Sequence, residues 1–276
     1  MAETTFSNGK QSGVQAVRRA LDLLLALSRA GGEASLNQLR QSTGLNKSTA
    51  YQLLAALRAR GFVEQDNETR RYRLGPTVLE IAACFLDESD LITRAESVLK
   101  QIRDRTGETV TLHLLVGDQR VTVAKAESQN TLRRAAALGE VAPLLRGAAG
   151  KCIVAFMGAR RIQSIISRAQ RSGALKKSET QFFLKNLASI RAKGFWINRG
   201  EHAPEGFGVA VPLFGAGGEV IGSLALSGPL QRLTASLREL ALELLTEGAQ
   251  RIGAPHSLRE LRSKAVEPDI ARSRAL

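Results

Sequence analysis

The residues whose types first suggest chemistry stand at the start of a short predicted helix, KSTAYQLLAALRAR. Asn46 precedes this helix and is a preferred N-cap residue. Lys47, Ser48 and Thr49 form its first turn, where free backbone N–H groups and the helix dipole favour phosphate oxygens. Gln52 lies one turn further on and is long enough to pair with an adenine edge in a DNA groove. These residue types at this spacing predict a helix that contacts nucleic acid.

Three predicted helices and a hairpin position this segment. Apolar residues at helical spacing predict a first helix over 13–30, and a Ser35–Gln38 capping box begins a second. The segment after the third helix is typical of two short strands around a polar turn. It carries Arg70 and Arg71, which are placed to contact the phosphate backbone or the minor groove. This order is the winged helix-turn-helix pattern, and the alternative is a small helical domain with a solvated polar face.

The segment GLNKSTAYQLLAALRARGFVEQDNETRRYRLGP resembles the recognition helix and wing of the IclR family of transcriptional regulators. The match falls on Gly44, Leu45, Ser48, Thr49, Leu53, Leu54, Gly61, Phe62, Tyr72, Leu74 and Gly75. It departs at Gln52, where the family usually has arginine. One charge-assisted bond to DNA is therefore expected to be missing.

The larger C-terminal part predicts a domain that mixes helices and strands. Runs rich in Val, Thr and Leu flank Gly117-Asp118, and a similar pair of runs flanks Gly215–Gly218, so a hairpin is expected near each end. Helical stretches are expected between them, near Lys151–Arg168 and Glu179–Lys193. This order predicts an α+β fold built on an antiparallel sheet.

The resemblance to the IclR family continues through this part of the chain. The stretch Pro143–Phe156 is similar to the family's proline, Ala-Gly-Lys and apolar helix, and Gly194–Phe214 is similar to its signature. Three positions of the second stretch depart from the family pattern: Asn198, Gly208 and Gly215. The resemblance implies a GAF-like effector domain, and the departures imply a pocket chemistry that differs from that of better-known members.

Small residues before the first of these helices suggest a ligand pocket. The run from Gly147 to Gly150 would let a ligand approach the backbone, and the helix N-terminus offers N–H groups to an anion. We expect a small organic acid, with its carboxylate at this helix end and its apolar body against the sheet. The resemblance places seven residues at effector-lining positions: Ala148, Ala149, Asn198, Gly208, Ala210, Ala225 and Ser227. The alternative is that the small residues only allow close packing of the helix on the sheet.

The net charge of +13 and the isoelectric point near 10.5 are typical of a protein with a nucleic-acid partner, but the charge is unevenly distributed. Residues 46–72 carry five basic side chains against three acidic ones, whereas residues 128–177 carry ten against Glu140 alone. Net charge is therefore weak evidence for DNA binding, which depends on the helix motif. Three of the ten are candidates for a counter-ion to an acid, or are plain surface charges: Arg133, Arg134 and Arg146.

Neither a membrane segment nor a secretion signal is predicted, since no run of about 18 apolar residues occurs and the N-terminus is polar. The protein is therefore expected in the cytoplasm, with Cys84 and Cys152 as buried free thiols. The three histidines have no metal-ligand spacing with the cysteines, so neither a metal site nor a cofactor is expected. A phosphate-binding Walker A loop is excluded, because Leu145 and Cys152 occupy two of its required positions.

Five segments are expected along the chain. They are a flexible N-terminus (1–12), a winged helix-turn-helix domain (13–76), a linker helix region (77–106), a GAF-like effector-binding and oligomerisation domain (107–254) and a flexible tail (255–276). The resemblance implies that the linker helix also helps the DNA-binding domains to dimerise.

Together these features predict a transcriptional regulator that binds double-stranded operator DNA and a small organic acid. The expected assembly is a homodimer or a tetramer, with no membrane contact. Two other classes stay open: a constitutive DNA-binding protein whose C-terminal domain only oligomerises, and an enzyme domain fused to a DNA-binding module. No catalytic residue is predicted, because Cys152 and the histidines lie on separate predicted elements.

Overall fold

The computed structural model describes residues 8–87, 90–201 and 204–254, and the chain divides into two compact units at Glu88. The predicted flexible tail 255–276 lies outside the described residues, as do residues 1–7. Residues 8–12, which were expected to be flexible, belong to the first helix. No helix within the described ranges is both long and apolar enough to cross a membrane.

Within residues 8–87, the first unit contains four helices and a small antiparallel sheet. Its elements are α1 (Asn8–Arg29), β1 (Glu33–Ala34), α2 (Leu36–Thr43), α3 (Lys47–Ala59), β2 (Val63–Gln65), β3 (Tyr72–Leu74) and α4 (Thr77–Asp87). The strand order is β1-β3-β2, with the predicted hairpin formed by β2 and β3. Strand β1, which the sequence did not indicate, pairs Ala34 with Tyr72. The winged helix-turn-helix prediction is confirmed.

Local capping explains where α2 begins. Gln38 donates its backbone N–H to Ser35 Oγ at 3.3 Å, and Gln38 Oε1 accepts the Ser35 backbone N–H at 2.9 Å, so the predicted capping box is formed. The core under α1, α2 and α3 is apolar. Leu23, Leu39 and Leu54 are almost fully buried in it.

The second unit is a six-stranded antiparallel sheet with helices on both faces. Its elements are α5 (Asp90–Thr106), β4 (Thr109–Val116), β5 (Gln119–Ala126), β6 (Val141–Pro143), α6 (Gly147–Ala155), α7 (Ala159–Arg171), α8 (Lys177–Lys193), β7 (Trp196–Arg199), β8 (Gly206–Phe214), β9 (Val220–Pro229) and α9 (Ala235–Ile252). The strand order is β6-β5-β4-β9-β8-β7. The predicted α+β, GAF-like architecture on an antiparallel sheet is confirmed.

Both faces of the central strands are buried, because successive side chains of a strand point to opposite faces. Val209 and Leu224 pack with α5 and α9 on one face, whereas Ala210 and Ala225 pack with α6, α7 and α8 on the other. The central strands therefore carry long apolar runs instead of a polar alternation.

Several elements differ from expectation. The helix predicted over Lys151–Arg168 is two helices, because the chain turns at Phe156–Gly158 before α7 begins. Helix α5, the second half of the predicted linker region, packs Val98 and Leu99 into the core of the second unit. Cys152 is buried as expected, but Cys84 on α4 is exposed, so the expectation of two buried thiols was wrong for Cys84.

Candidate nucleic-acid interface and ligand cavity

Helix α3 begins with a side-chain cap. Asn46 Oδ1 accepts a hydrogen bond from the Thr49 backbone N–H at 2.8 Å, so this N–H is not available to a phosphate. Thr49 itself is half-buried, whereas Lys47 and Ser48 are exposed. Of the three predicted first-turn contacts, two therefore face solvent, and Thr49 contributes to the start of the helix.

The exposed face of α3 continues one turn further on. Tyr51 and Gln52, three and four residues after Ser48, lie on its exposed face, whereas Leu54 is fully buried. The Tyr51 side chain is 54% exposed. Tyr51 was not predicted as a DNA contact, although it stands four residues after Lys47 on a predicted helix. An exposed aromatic ring with a hydroxyl is suited to hydrogen-bonding a phosphate or a base edge.

The turn between β2 and β3 is held by its own side chains. Asp66 Oδ1 accepts the Thr69 backbone N–H at 2.7 Å, and this hydrogen bond holds the pKa of the Asp66 carboxyl below its usual value. Arg70 has a φ of 57° and is exposed. Arg71 is half-buried and makes an ion pair with Glu33 at 2.6 Å. Arg70 is therefore the more accessible of the two predicted wing contacts.

Gln65 connects the hairpin to α3. Its Oε1 accepts a hydrogen bond from Arg58 Nη1 at 3.2 Å, and its Nε2 donates to the Arg70 carbonyl at 3.0 Å. These two bonds fix the tip of the hairpin relative to the helix. The helix face and the wing are thus positioned as one surface, which is what a duplex with adjacent grooves requires.

A cavity of about 100 Å³ lies in the second unit, between the N-terminal end of α6 and the sheet. Six of the seven residues expected at effector positions line it: Ala148, Ala149, Asn198, Gly208, Ala225 and Ser227. The seventh, Ala210, is fully buried, and its carbonyl oxygen accepts a hydrogen bond from the Cys152 thiol at 3.2 Å. Burial raises the pKa of this thiol, so it stays protonated. Ala210 therefore holds α6 against β8.

The N-terminus of α6 already carries a carboxylate from the protein itself. Glu201 accepts the Gly147 backbone N–H at 3.2 Å and the Lys151 ammonium at 2.6 Å. Lys151 is buried, and its ammonium also lies 5.6 Å from the centre of the Trp196 ring. The first N–H of the helix, where a ligand carboxylate was expected, is thus occupied by Glu201. The next two residues of the helix, Ala148 and Ala149, also line the cavity.

The floor of the cavity is a polar cluster on β4 and β5. His113 Nε2 lies 3.0 Å from Thr111 Oγ1, and His113 Nδ1 lies 3.1 Å from Thr122 Oγ1 and 3.3 Å from Arg120 Nη1. Because a guanidinium can only donate, Nδ1 must be the acceptor and the ring is neutral. Arg120 is 7% exposed, and burial lowers its pKa while the charge of Glu140 opposes that shift. An arginine so buried still carries its positive charge at neutral pH.

Two departures from the family pattern face each other across the cavity wall. Asn198 on β7 pairs with Gly208 on β8, and a Cβ at Gly208 would lie 2.5 Å from Asn198 Oδ1. The absence of a side chain at Gly208 therefore makes room for the asparagine. Asn198 is 6% exposed, and its Oδ1 accepts no hydrogen bond from the part of the chain that the structure describes. It offers a buried polar group to the cavity.

The polar floor was missed by the sequence analysis. Of the three arginines considered as counter-ions, Arg134 lines the cavity and is exposed, but Arg120 is the buried cation there. The alternation of side chains along β5 could have indicated that Arg120 is buried, because it points to the same face of the sheet as the buried Thr122 and Ala124. The partnership of His113 with Arg120 could not be inferred, because it depends on the register of two strands.

The fold and the surface of α3 are those of a DNA-binding transcriptional regulator with a larger C-terminal domain. The family model described as the IclR helix-turn-helix domain matches residues 16–67. The model described as the C-terminal domain of the bacterial transcriptional regulator IclR matches residues 83–254. The chain belongs to the IclR family of transcriptional regulators.

Individual relatives support this membership over most of the chain. The HTH-type transcriptional regulator BhcR of Paracoccus denitrificans is 27% identical over 242 residues, which cover 87% of this chain and 86% of BhcR. An IclR transcriptional regulator from Alicyclobacillus acidocaldarius has a TM-score of 0.78 and 26% identity, over 87% of this chain and 98% of that one. An IclR homologue from Microbacterium hydrocarbonoxydans, solved with 4-hydroxybenzoate, shares the fold, with a TM-score of 0.73 and 19% identity over 90% of this chain and 99% of that one.

Proposed function

We propose that this regulator responds to a small organic acid, which binds in the cavity beside α6 and changes the affinity of the protein for its operator. The observation that carries the proposal is a buried guanidinium, Arg120, in the floor of a small cavity that is otherwise lined mainly by small side chains. A carboxylate is the natural partner of a buried guanidinium, since a charge-assisted hydrogen bond compensates the desolvation of both groups.

Several other lining residues fit the rest of such a ligand. Ala148 and Ala225 offer an apolar surface, and Asn198 offers a hydrogen bond to a hydroxyl or oxo group. The backbone N–H groups of Ala148 and Ala149 lie in the first turn of α6, where the helix dipole favours negative charge. The acid would thus lie between the helix end and the arginine.

The size of the cavity limits the ligand. A cavity of about 150 Å³ accommodates benzene, whereas this one is about 100 Å³. Short aliphatic acids therefore fit the cavity as described, and an aromatic acid would require it to widen. The same fold holds 4-hydroxybenzoate in the Microbacterium hydrocarbonoxydans protein, so the panel of candidates includes small aromatic acids.

Effector binding would act on DNA through a shift between two arrangements of a homodimer or tetramer. A ligand changes an equilibrium only by the difference in its affinity for the two states. Symmetry-related α3 helices would then bind operator half-sites whose spacing follows the symmetry of the assembly. The surface offered to DNA consists of Lys47, Ser48, Tyr51, Gln52 and Arg70, with Thr49 and Arg71 in supporting positions.

The test is a thermal-shift screen of the full-length protein against short aliphatic and small aromatic acids, with the matching amides as uncharged controls. An acid at about 100 times its dissociation constant should stabilise the folded protein by about 2.7 kcal/mol. The amide should give no shift. In Ala149→Leu, the added side chain would fill the cavity, so the acid should lose its effect while DNA binding is retained.

Failure of every acid to raise the melting temperature would contradict the proposal and favour a C-terminal domain that only oligomerises. Equal shifts from an acid and its amide would also contradict it, because the buried charge would then have no part in recognition.

A further inference from the structure

Most of the net positive charge of the chain lies in one segment of the second unit, from α6 to β7. Residues 147–199, from α6 to β7, contain eleven basic side chains and one acidic one, Glu179, so they hold a net charge of +10 out of the chain's +13. Clustered like charges repel one another and oppose folding unless something offsets them. Neither DNA contact by α3 nor the cavity accounts for this excess.

The charge is concentrated on one exposed surface. Helix α7 buries Ile162, Ile165 and Ile166 against the core, and its opposite face is exposed. Six exposed basic residues on that face and at the start of α8 form what we call the α7 basic surface: Arg160, Arg161, Arg168, Arg171, Lys176 and Lys177. The four arginines lie within about a third of the helix circumference, at the 3.6-residue period.

Only part of this charge is neutralised within the chain. Asp118 pairs with Arg168 and lies 3.6 Å from Arg161, which anchors the β4–β5 turn to α7. Glu179 accepts the Lys176 backbone N–H at 3.0 Å as part of the start of α8. The other four basic side chains make no ion pair with any residue in the described ranges: Arg160, Arg171, Lys176 and Lys177. The surface thus has several charges free for an external anion.

We infer that the α7 basic surface binds the phosphate backbone of duplex DNA, as a second contact that does not depend on sequence. Arginine and lysine side chains that neutralise phosphates release counter-ions, and this release favours binding to any duplex. The exposed face of α7, all of which the structure describes, carries no large apolar side chain of the kind that anchors protein–protein interfaces.

The experiment measures binding of the full-length protein to a labelled duplex of arbitrary sequence, by fluorescence anisotropy, between about 50 and 200 mM salt. The variant combines Arg160→Gln, Arg171→Gln, Lys176→Gln and Lys177→Gln, and leaves Arg161 and Arg168 on Asp118. The logarithm of the association constant falls linearly with the logarithm of the salt concentration. Each phosphate that the protein no longer neutralises makes this dependence less steep, by about 1 in the magnitude of the slope. The slope should therefore fall by about 3 to 4.

The matched control removes the same number of charges from the opposite layer of the unit, on α5 and α9. It combines Arg94→Gln, Lys100→Gln, Arg105→Gln and Arg238→Gln, all of them at exposed positions. Its salt slope should stay near that of the wild type.

An unchanged slope in the first variant would overturn the inference and point to an acidic protein partner. An equal fall in both variants would also overturn it, because net charge and not this surface would be responsible. The inference does not depend on the cavity or on its ligand.

Discussion

At the scale of single residues, two buried cations in the second unit, Lys151 and Arg120, have different partners. Lys151 is bound to Glu201, which also caps α6, so this pair fixes the helix end. Arg120 lies in the floor of the cavity beside His113, where burial lowers its pKa and the charge of Glu140 opposes that shift. Glu201 therefore has a structural role at the start of α6. In the proposed function, Arg120 is the cation that contacts the acid.

The first prediction concerns Arg120→Gln. The variant keeps a polar side chain but removes the positive charge, so an acid found in the screen should bind more weakly. A hydrogen bond to a charged group contributes about 1.5 to 3 kcal/mol, so the dissociation constant should rise by roughly 10-fold to 150-fold. Isothermal titration calorimetry at neutral pH measures this, with a melting curve to check folding.

Arg134→Gln is the control for that prediction. Arg134 also lines the cavity, but it is exposed, so solvent screens its charge and the dissociation constant should change by less than about 3-fold. Equal effects of the two substitutions would mean that Arg120 does not hold the carboxylate.

At the scale of elements, the cavity depends on how closely α6 approaches the strand before it. A Cβ at Gly150 would lie 2.2 Å from the Leu144 carbonyl oxygen, which is backbone and cannot rotate away. The helix can therefore approach this segment only because residue 150 lacks a side chain. The same approach brings Ala148 and Ala149 to the cavity wall.

The second prediction follows from this contact. Helix propensity alone would make Gly150→Ala stabilising by about 1 kcal/mol. The clash with Leu144 should reverse the sign and lower the free energy of unfolding by about 1 to 3 kcal/mol. Urea unfolding followed by the fluorescence of Trp196, the only tryptophan, reports on this unit.

Gly158→Ala provides the comparison, because a Cβ there meets nothing within 4 Å. Its free energy of unfolding should stay within about 0.5 kcal/mol of the wild type. A Gly150→Ala protein as stable as the wild type would mean that α6 does not need this close approach.

Elements that begin with a side-chain cap could be predicted from the sequence, whereas strands that depend on pairing with distant segments could not. The capping box at Ser35 and the cap at Asn46 act within four residues, so the starts of α2 and α3 could be placed. Strands β6 and β7 are three and four residues long and pair only with strands distant in sequence or across a loop, so their short runs gave no usable periodicity. Helix α9 was also not predicted.

Some residues of the candidate ligand site could also be predicted from the sequence, and others could not. The small residues around Ala149 and the position of Asn198 could be proposed from the resemblance to the IclR family. The cluster of His113 with Arg120 could not, because β4 and β5 place these side chains together only through their pairing. The hydrogen bond between Glu201 and the first N–H of α6 could not be predicted either, because Glu201 lies 54 residues from Gly147 in the sequence.

At the scale of the whole molecule, regulation requires that effector binding and operator binding are thermodynamically coupled. An effector that changes operator affinity by some factor must have its own affinity changed by operator DNA by the same factor. Typical coupling free energies of about 1 to 3 kcal/mol correspond to factors of roughly 5 to 150. This reciprocity distinguishes a regulated DNA-binding protein from one whose C-terminal domain only assembles the oligomer.

The most direct measurement is the affinity of the full-length protein for an operator selected from random duplexes, with and without an acid that stabilises the protein. The wild type should show a change in operator affinity of at least about 5-fold, and the operator should change the acid's affinity by the same factor. Ala149→Leu should bind the operator with an affinity that the acid does not alter. An acid that binds the wild type in the cavity and leaves operator affinity unchanged would contradict the central claim.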